Sequence, residues 1–100
     1  MKRDKALSLV GLATKAGKVV SGEFMTDKSV KEGHSWLVIV ANDASNNTKK
    51  KFINMCNYYQ VPIYFYSDKA NLGNAIGKEF RASLAVTDEG LAKEIIKHLE

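Results

Sequence analysis

Trp36-Leu37-Val38-Ile39-Val40-Ala41 is apolar at every position. A strand with one wet face alternates apolar and polar residues, so an unbroken apolar run demands cover on both faces. The run therefore predicts a central strand between two layers of helix. Towards the N-terminus, residues 23–32 read as a helix stopped by Gly33, and residues 18–21 as a short strand. Before them, residues 4–16 form a helix with Ala6, Leu9, Val10, Ala13 and Ala16 on one face and Gly17 as its stop. Towards the C-terminus, Asp43 or Ser45 caps a long helix carrying Phe52, Met55, Cys56 and Tyr59 at i, i+3, i+4 and i+7. Residues 61–66 are a strand with Pro62 confined to its first positions, and residues 69–76 a short helix. A strand at 82–86 and a helix at 89–99 complete the chain. Alternation of this kind predicts an α/β fold, a three-layer α/β/α sandwich, within a single domain spanning 1–100.

Charge is distributed unevenly along this frame. The chain holds 15 Lys and Arg against 11 Asp and Glu, and ten of the basic residues but only five of the acidic ones fall in residues 1–51. A one-sided basic surface for an anionic partner requires such an asymmetry, although a lysine-rich solvated surface would produce it too. Cys56 is the only cysteine, which excludes an internal disulfide and a cysteine-cluster zinc site. The start, Met1-Lys2-Arg3-Asp4-Lys5 before Ala6-Leu7-Ser8-Leu9-Val10, imitates a secretion signal, but the apolar run is short and reaches Lys15 without a cleavage site. No segment approaches the ~20 apolar residues of a membrane span. A cytoplasmic protein without a membrane partner is expected.

The inventory for catalysis is thin. His34 lies beside a glycine turn and His98 near the C-terminus, neither with an Asp, Cys or Ser placed for a relay. Asp43, Asp68 and Asp88 follow strands, where a magnesium site is conceivable, yet each also stands where a helix needs an N-cap. Neither Gly-x-Gly-x-x-Gly nor a P-loop pattern occurs. No enzyme, metal or cofactor is expected.

Anion binding is better supported. In Lys18-Val19-Val20-Ser21-Gly22-Glu23-Phe24-Met25-Thr26-Asp27-Lys28 a strand breaks at a glycine into a helix. Gly22 permits close backbone approach to a ligand, and the helix start presents N–H groups and a positive dipole end. Lys18 and Lys28 are expected to bracket this surface. Asn46-Asn47-Thr48-Lys49-Lys50-Lys51 opens the long helix with lysines that oppose its dipole by a few tenths of a kcal/mol each. A phosphate docked at that start would reverse the sign, whereas lysines pointing to water would leave the cost in place. Lys69, Lys78 and Arg81 add charge around the fourth helix, and Phe80 is placed to stack on an unpaired base or to bury itself in its loop.

Three ordered segments carry a family resemblance across essentially the whole chain. They are Gly22-x-x-x-x-x-Lys28, then Leu37-Val38-Ile39-Val40-Ala41-x-Asp43-Ala44-Ser45, then Leu72-Gly73-x-Ala75-x-Gly77. Together they resemble the kink-turn RNA-binding ribosomal proteins, the L-seven-Ae and L-thirty-e group, and within it the small bacterial YlxQ-like branch. The resemblance implies a four-stranded mixed sheet and non-catalytic binding of structured RNA, with ribosomal RNA, the ribosome or translation factors as partners of a monomer. It implies RNA contacts from Gly22, Glu23, Phe24, Met25 and Lys28, from Ser45 and Lys49 near a flipped nucleotide, from Lys69, and from a specificity loop of Lys78, Glu79, Phe80, Arg81, Ala82 and Ser83. One departure stands out. The family's turn reads Gly-x-Asn-Glu-x-x-Lys, where Asn and Glu hydrogen-bond sheared G·A pairs, and here those places hold Phe24 and Met25. Neither side chain donates or accepts, so base readout at the turn is missing while backbone-positioning groups remain. Kink-turn selectivity is accordingly expected to be weak. The competing expectation is a protein-interaction module on the same fold, with Phe24 and Met25 as its apolar patch.

Overall fold

The computed structural model of the chain describes residues 4–100. The first three residues of the signal-like start lie outside the described residues. Five helices and four strands alternate: α1 (Lys5–Lys15), β1 (Val19–Ser21), α2 (Glu23–Lys31), β2 (Leu37–Val40), α3 (Asn46–Tyr59), β3 (Ile63–Phe65), α4 (Lys69–Ala75), β4 (Ser83–Val86) and α5 (Glu89–Lys97). The expected order is borne out, each element within a few residues of its expected ends.

The four strands form one sheet in the order β1-β4-β2-β3. β4 runs antiparallel to both neighbours, pairing Val20 with Ala85 and Val38 with Ala85, and β2 runs parallel to β3 with Ile39 opposite Tyr64. The sheet is therefore mixed. Its two inner strands, β2 and β4, are buried at every position, while the edge strands β1 and β3 are only partly covered. Leu37 to Ala41 receive the cover that the run demands, whereas Trp36 lies before the strand and is 47% exposed.

Period two sorts the strand residues between two cores. Leu37, Ile39, Leu84 and Val86 pack with Val10 and Ala13 of α1, Leu72 of α4, and Ala92 and Ile95 of α5. Val38, Val40 and Ala85 pack on the opposite face with Val30 of α2 and Phe52 and Cys56 of α3. The molecule is thus the expected α/β/α sandwich, α1, α4 and α5 on one face and α2 and α3 on the other. Tyr59 leaves the apolar face expected of it. It sits exposed in the last turn of α3, edge-to-face on Tyr58 at 4.8 Å between ring centroids.

Side-chain caps start four of the five helices. Asp4, Ser45, Asp68 and Asp88 accept from the backbone N–H of Leu7, Thr48, Asn71 and Leu91 at 3.0, 3.1, 2.7 and 2.9 Å. Each such cap contributes about 1 kcal/mol. Asp43 does not cap the helix that follows it, since Ser45 takes that place. Its Oδ1 instead accepts from Lys69 N at 2.9 Å and joins the loop before α3 to the start of α4. Only α2 begins without a side-chain cap, at Gly22.

Candidate nucleic-acid interface

Because β4 is antiparallel to both β1 and β2, and β2 is parallel to β3, the strands β1, β2 and β3 all end at one end of the sheet. The helices that follow them, α2, α3 and α4, start there, and the loop 76–82 returns there to enter β4. Ligands of open α/β sheets gather at the carboxyl ends of strands. Nearly all the candidate residues converge on this end.

Gly22 is the hinge. Its N–H donates to the Ser83 carbonyl at 2.9 Å, which fixes the turn to the start of β4. Its φ of +90° and ψ of 159° belong to a region that is essentially glycine-only. The N-terminal turn of α2 then carries Phe24, 74% exposed, and Met25, 43% exposed. Glu23 faces across to α3. Its carboxylate accepts from Thr48 Oγ1 at 3.3 Å, and Ser45 Oγ donates to the same Thr48 hydroxyl at 3.0 Å.

Lys51 completes this strut between the two helices. Its Nζ lies 3.3 Å from Glu23 and 3.0 Å from Asp27, and Lys31 holds the other Asp27 oxygen at 3.1 Å. Burial alone would raise the Asp27 pKa, but the hydrogen bonds and charges of Lys51 and Lys31 outweigh it and hold the carboxyl below its usual value. The Lys51 ammonium is shifted upward, chiefly by its hydrogen bond to Asp27 and against the opposing effect of burial. The acids of α2 are therefore neutralised from within the fold.

The cations around them are not. Among the described residues, Lys28, Lys49, Lys69, Lys78 and Arg81 make no salt bridge, in contrast to Lys31 and Lys51. Two acids at this end, Asp43 and Asp68, are occupied with backbone N–H groups. The end thus carries unpaired positive side chains, with Glu79 of the 76–82 loop the acid beside them that is likewise unpaired among the described residues. It suits an extended anion.

The loop that carries Lys78 and Phe80 is fixed at several points. Lys78 N donates to Gly73 O at 2.8 Å and Arg81 N to Lys69 O at 3.0 Å. Arg81 Nε donates to Ser21 Oγ at 3.0 Å and its Nη1 to Phe80 O at 2.7 Å, so the guanidinium ties the loop to the end of β1. A Cβ on Gly73 would stand 2.4 Å from the Glu79 carbonyl oxygen, so the loop rests directly on the backbone of α4. The Phe80 ring is nevertheless 62% exposed.

Three expectations change in this geometry. Ser83 is fully buried, its Oγ reaching Thr26 Oγ1 at 3.5 Å, so its side chain has no access to a ligand and its carbonyl positions Gly22. Ala82 is half-buried against the α2–α3 core, its carbonyl accepting from Ala41 N at 2.9 Å. Lys18 does not bracket the turn with Lys28. It lies at the opposite end of β1, its carbonyl accepting from Thr87 N at 2.8 Å, about 13 Å of extended chain from Gly22. Lys28 stands on the flank, where with Met25, His34, Trp36 and Thr87 it lines a cavity of about 530 Å³. Sequence reasoning missed Lys51 and Gly73 as positioning residues. The spacing of Asp27 and Lys31 at i, i+4 hinted at an ion pair, but nothing local linked Lys51 to α2.

Burial pushes the Cys56 thiol up to about 11, so it stays protonated at neutral pH. Among the described residues no group of three or more His, Cys, Asp or Glu side chains could hold a metal ion. No helix there is long and apolar enough to cross a membrane.

Comparison with known proteins agrees with the architecture. Residues 4–96 match the model of the ribosomal protein L7Ae/L30e/S12e/Gadd45 family. The chain is 47% identical over 92 residues to the RNA-binding protein YlxQ of Bacillus subtilis (strain 168), covering 92% of each chain. It is 32% identical over 96 residues to the large ribosomal subunit protein eL8 of Thermoplasma volcanium, covering 95% of this chain and 79% of the relative. Among solved structures, a Bacillus halodurans protein of unknown function superposes with a TM-score of 0.94 at 37% identity, covering 97% of this chain and 98% of that one. With residues 4–96 matched and relatives at 47% and 32% identity over nearly its whole length, the chain belongs to the ribosomal protein L7Ae/L30e/S12e/Gadd45 family.

Proposed function

We propose that this protein binds structured RNA without catalysing a reaction on it, through the end of the sheet where α2, α3 and the 76–82 loop meet. The observation that carries the reading is the separation of charge there. Lys49, Lys69, Lys78 and Arg81 are unpaired, while Glu23 and Asp27 are tied to Lys51 and Lys31. Such a surface attracts a phosphate backbone and positions it. A relative that is named an RNA-binding protein and another that is a large-subunit ribosomal protein support RNA as the partner, ribosomal RNA first. Lys28 extends the surface along α2, and Ser45 contributes through the cap that fixes Lys49. Phe24 and Met25 offer no hydrogen bonds to base edges, so discrimination for kink-turns is weak in this reading. The protein acts as a cytoplasmic monomer on RNA or ribosomes.

Binding of the purified chain to a ribosomal RNA fragment tests this directly. Affinity is expected to fall steeply with salt, because each neutralised phosphate contributes about −0.9 for duplex or −0.7 for single strand to the log–log slope. A flat salt response, or no binding at low salt, would contradict it. Cellular association that survives ribonuclease would point to a protein partner at Phe24 and Met25 instead.

A further inference from the structure

We propose that the open edge of β3 pairs with the same edge of a second copy of this chain, the two joining about a two-fold axis into one continuous sheet. The proposal does not rest on the RNA reading, since none of the groups that carry that reading takes part.

The edge is open by register. Tyr64 stands opposite Ile39, Pro62 O accepts from Val38 N, and Tyr66 N donates to Val40 O, so residues 62, 64 and 66 turn their backbone groups to β2. Successive residues of a strand point these groups to opposite sides, which directs the N–H and C=O of Ile63 and Phe65 outward. Among the described residues, neither makes a backbone hydrogen bond to a loop or turn, and no strand lies beyond β3 in the sheet. Pro62 does not interrupt this edge, because its missing N–H is on the β2 side. Such an edge is a template for another strand.

Charge separates this edge from the other one. The edge of β1 is guarded by Lys18 before it and by the Arg81 guanidinium on Ser21. The edge of β3 has no such guard. Residues 52–67 carry no charged side chain, the longest such run in a chain whose residues are 26% charged. They supply both β3 and the wall of α3 that faces it. Between the two lies an uncharged groove of about 420 Å³, lined by Ile53 and Asn57 of α3, Gln60 at its end, and Val61 and Ile63. Ile53 is 44% exposed and Phe65 37%. The core of a protein interface is depleted of charge in this way, whereas a phosphate backbone finds no cation here. Two copies at +4 each repel where their cations gather, and this surface brings none.

The strand also complements itself. With the axis at Tyr64 and the strands antiparallel, Ile63 of each copy stands opposite Phe65 of the other, and each such pair exchanges both of its backbone hydrogen bonds. Ile63 packs towards α3, and Phe65, two residues on, shares its face. A β-branched residue against an aromatic one is a stabilising cross-strand pair. Tyr64 meets its counterpart on the opposite face, an aromatic pair. The two-fold axis closes the contact at two chains and turns their RNA-binding ends to opposite ends of the joint sheet. Because β3 is only three residues long, the contact is small and transient, and a dilute chain remains a monomer on RNA.

Sedimentation equilibrium of the purified, ribonuclease-treated chain tests this. Up to about 1 mM chain, the mean mass should rise towards that of two copies and no further. Phe65→Pro deletes an outward N–H without touching a bond to β2, and Phe65→Thr keeps a strand former while removing the ring. Both should stay single over the same range, with an unchanged unfolding temperature as the control for folding. Tyr64→Cys tests the register. A non-hydrogen-bonded antiparallel pair sets its Cα atoms about 4.5 Å apart, within the span of about 4.4–6.8 Å that a disulfide bridges. Mild oxidation should therefore join two Tyr64→Cys chains much faster than two Phe24→Cys chains, although Phe24 is 74% exposed. A chain that stays single throughout would overturn the proposal and leave the edge to a strand from a different protein or to none. Association that persists in both Phe65 variants, or Phe24→Cys chains that crosslink as fast as Tyr64→Cys chains, would put the contact elsewhere and overturn it too. Association seen only before ribonuclease treatment would mean that RNA bridges the copies, which also overturns it.

Discussion

At the scale of single residues, two glycines do unlike work. A Cβ on Gly22 would meet nothing within 4 Å, so the demand there is conformational, set by φ of +90°. Gly22→Ala should therefore cost about 1–3 kcal/mol through backbone strain without any clash. Gly73 has the reverse problem. An alanine methyl would press on the Glu79 carbonyl oxygen at 2.4 Å and on Phe80 N at 2.9 Å, and backbone cannot step aside as a flexible side chain can. Gly73→Ala should destabilise by about 1–3 kcal/mol and displace the loop that presents Lys78 and Phe80. Denaturant midpoints measure both costs. RNA titration separates them, since Gly73→Ala should also lose affinity under conditions where the protein stays folded. Gly22 was legible in the sequence because a strand pattern turns into a helix pattern at that residue. The demand at Gly73 was not, because the atoms that crowd it arrive from a loop whose path only the fold defines. The burial of Ser83 was not legible for a related reason: its hydroxyl meets Thr26 of α2, 57 residues away in the chain.

At the scale of elements, the strut from Lys51 to Glu23 and Asp27 fixes the start of α2 against α3. Asp27 has its pKa held below the usual 3.8, so its contribution to stability is complete above that value and disappears as pH falls through the lowered one. Lys51 is shifted above 10.5, so its contribution is complete below 10.5 and fades as pH rises through the raised value. Lys51→Met should thus lower stability most across the plateau between about pH 4 and 10, by about 0.2–1 kcal/mol for a partly exposed pair, and the difference from wild type should close in acid. Urea unfolding at neutral pH and near pH 2 checks this. A deficit of equal size at both would show that packing, not charge, explains the loss. The helices and strands themselves were readable because apolar periods and caps are local. The strut was not, since Glu23 and Lys51 lie 28 residues apart and meet only after two helices dock on one face.

At the scale of the whole molecule, strand direction decides what the surface is. Inserting β4 between β1 and β2 leaves β1, β2 and β3 pointing one way, so their following helices begin together. Sequence pattern carried the layers but not that order, which depends on pairing between residues some 65 apart, as in Val20 with Ala85. The same topology explains why Lys18 parts from Gly22, since β1 carries it to the other end of the sheet. Ribosomal RNA affinity measured against salt, for wild type and for a Lys49→Ala/Lys78→Ala protein, tests the central claim most directly. The account predicts weaker binding at low salt and a log–log slope shallower by about 1.4–1.8, one phosphate for each lysine removed. A slope and affinity identical to wild type would contradict it, because the unpaired lysines at the converging helix ends would then not be where RNA binds.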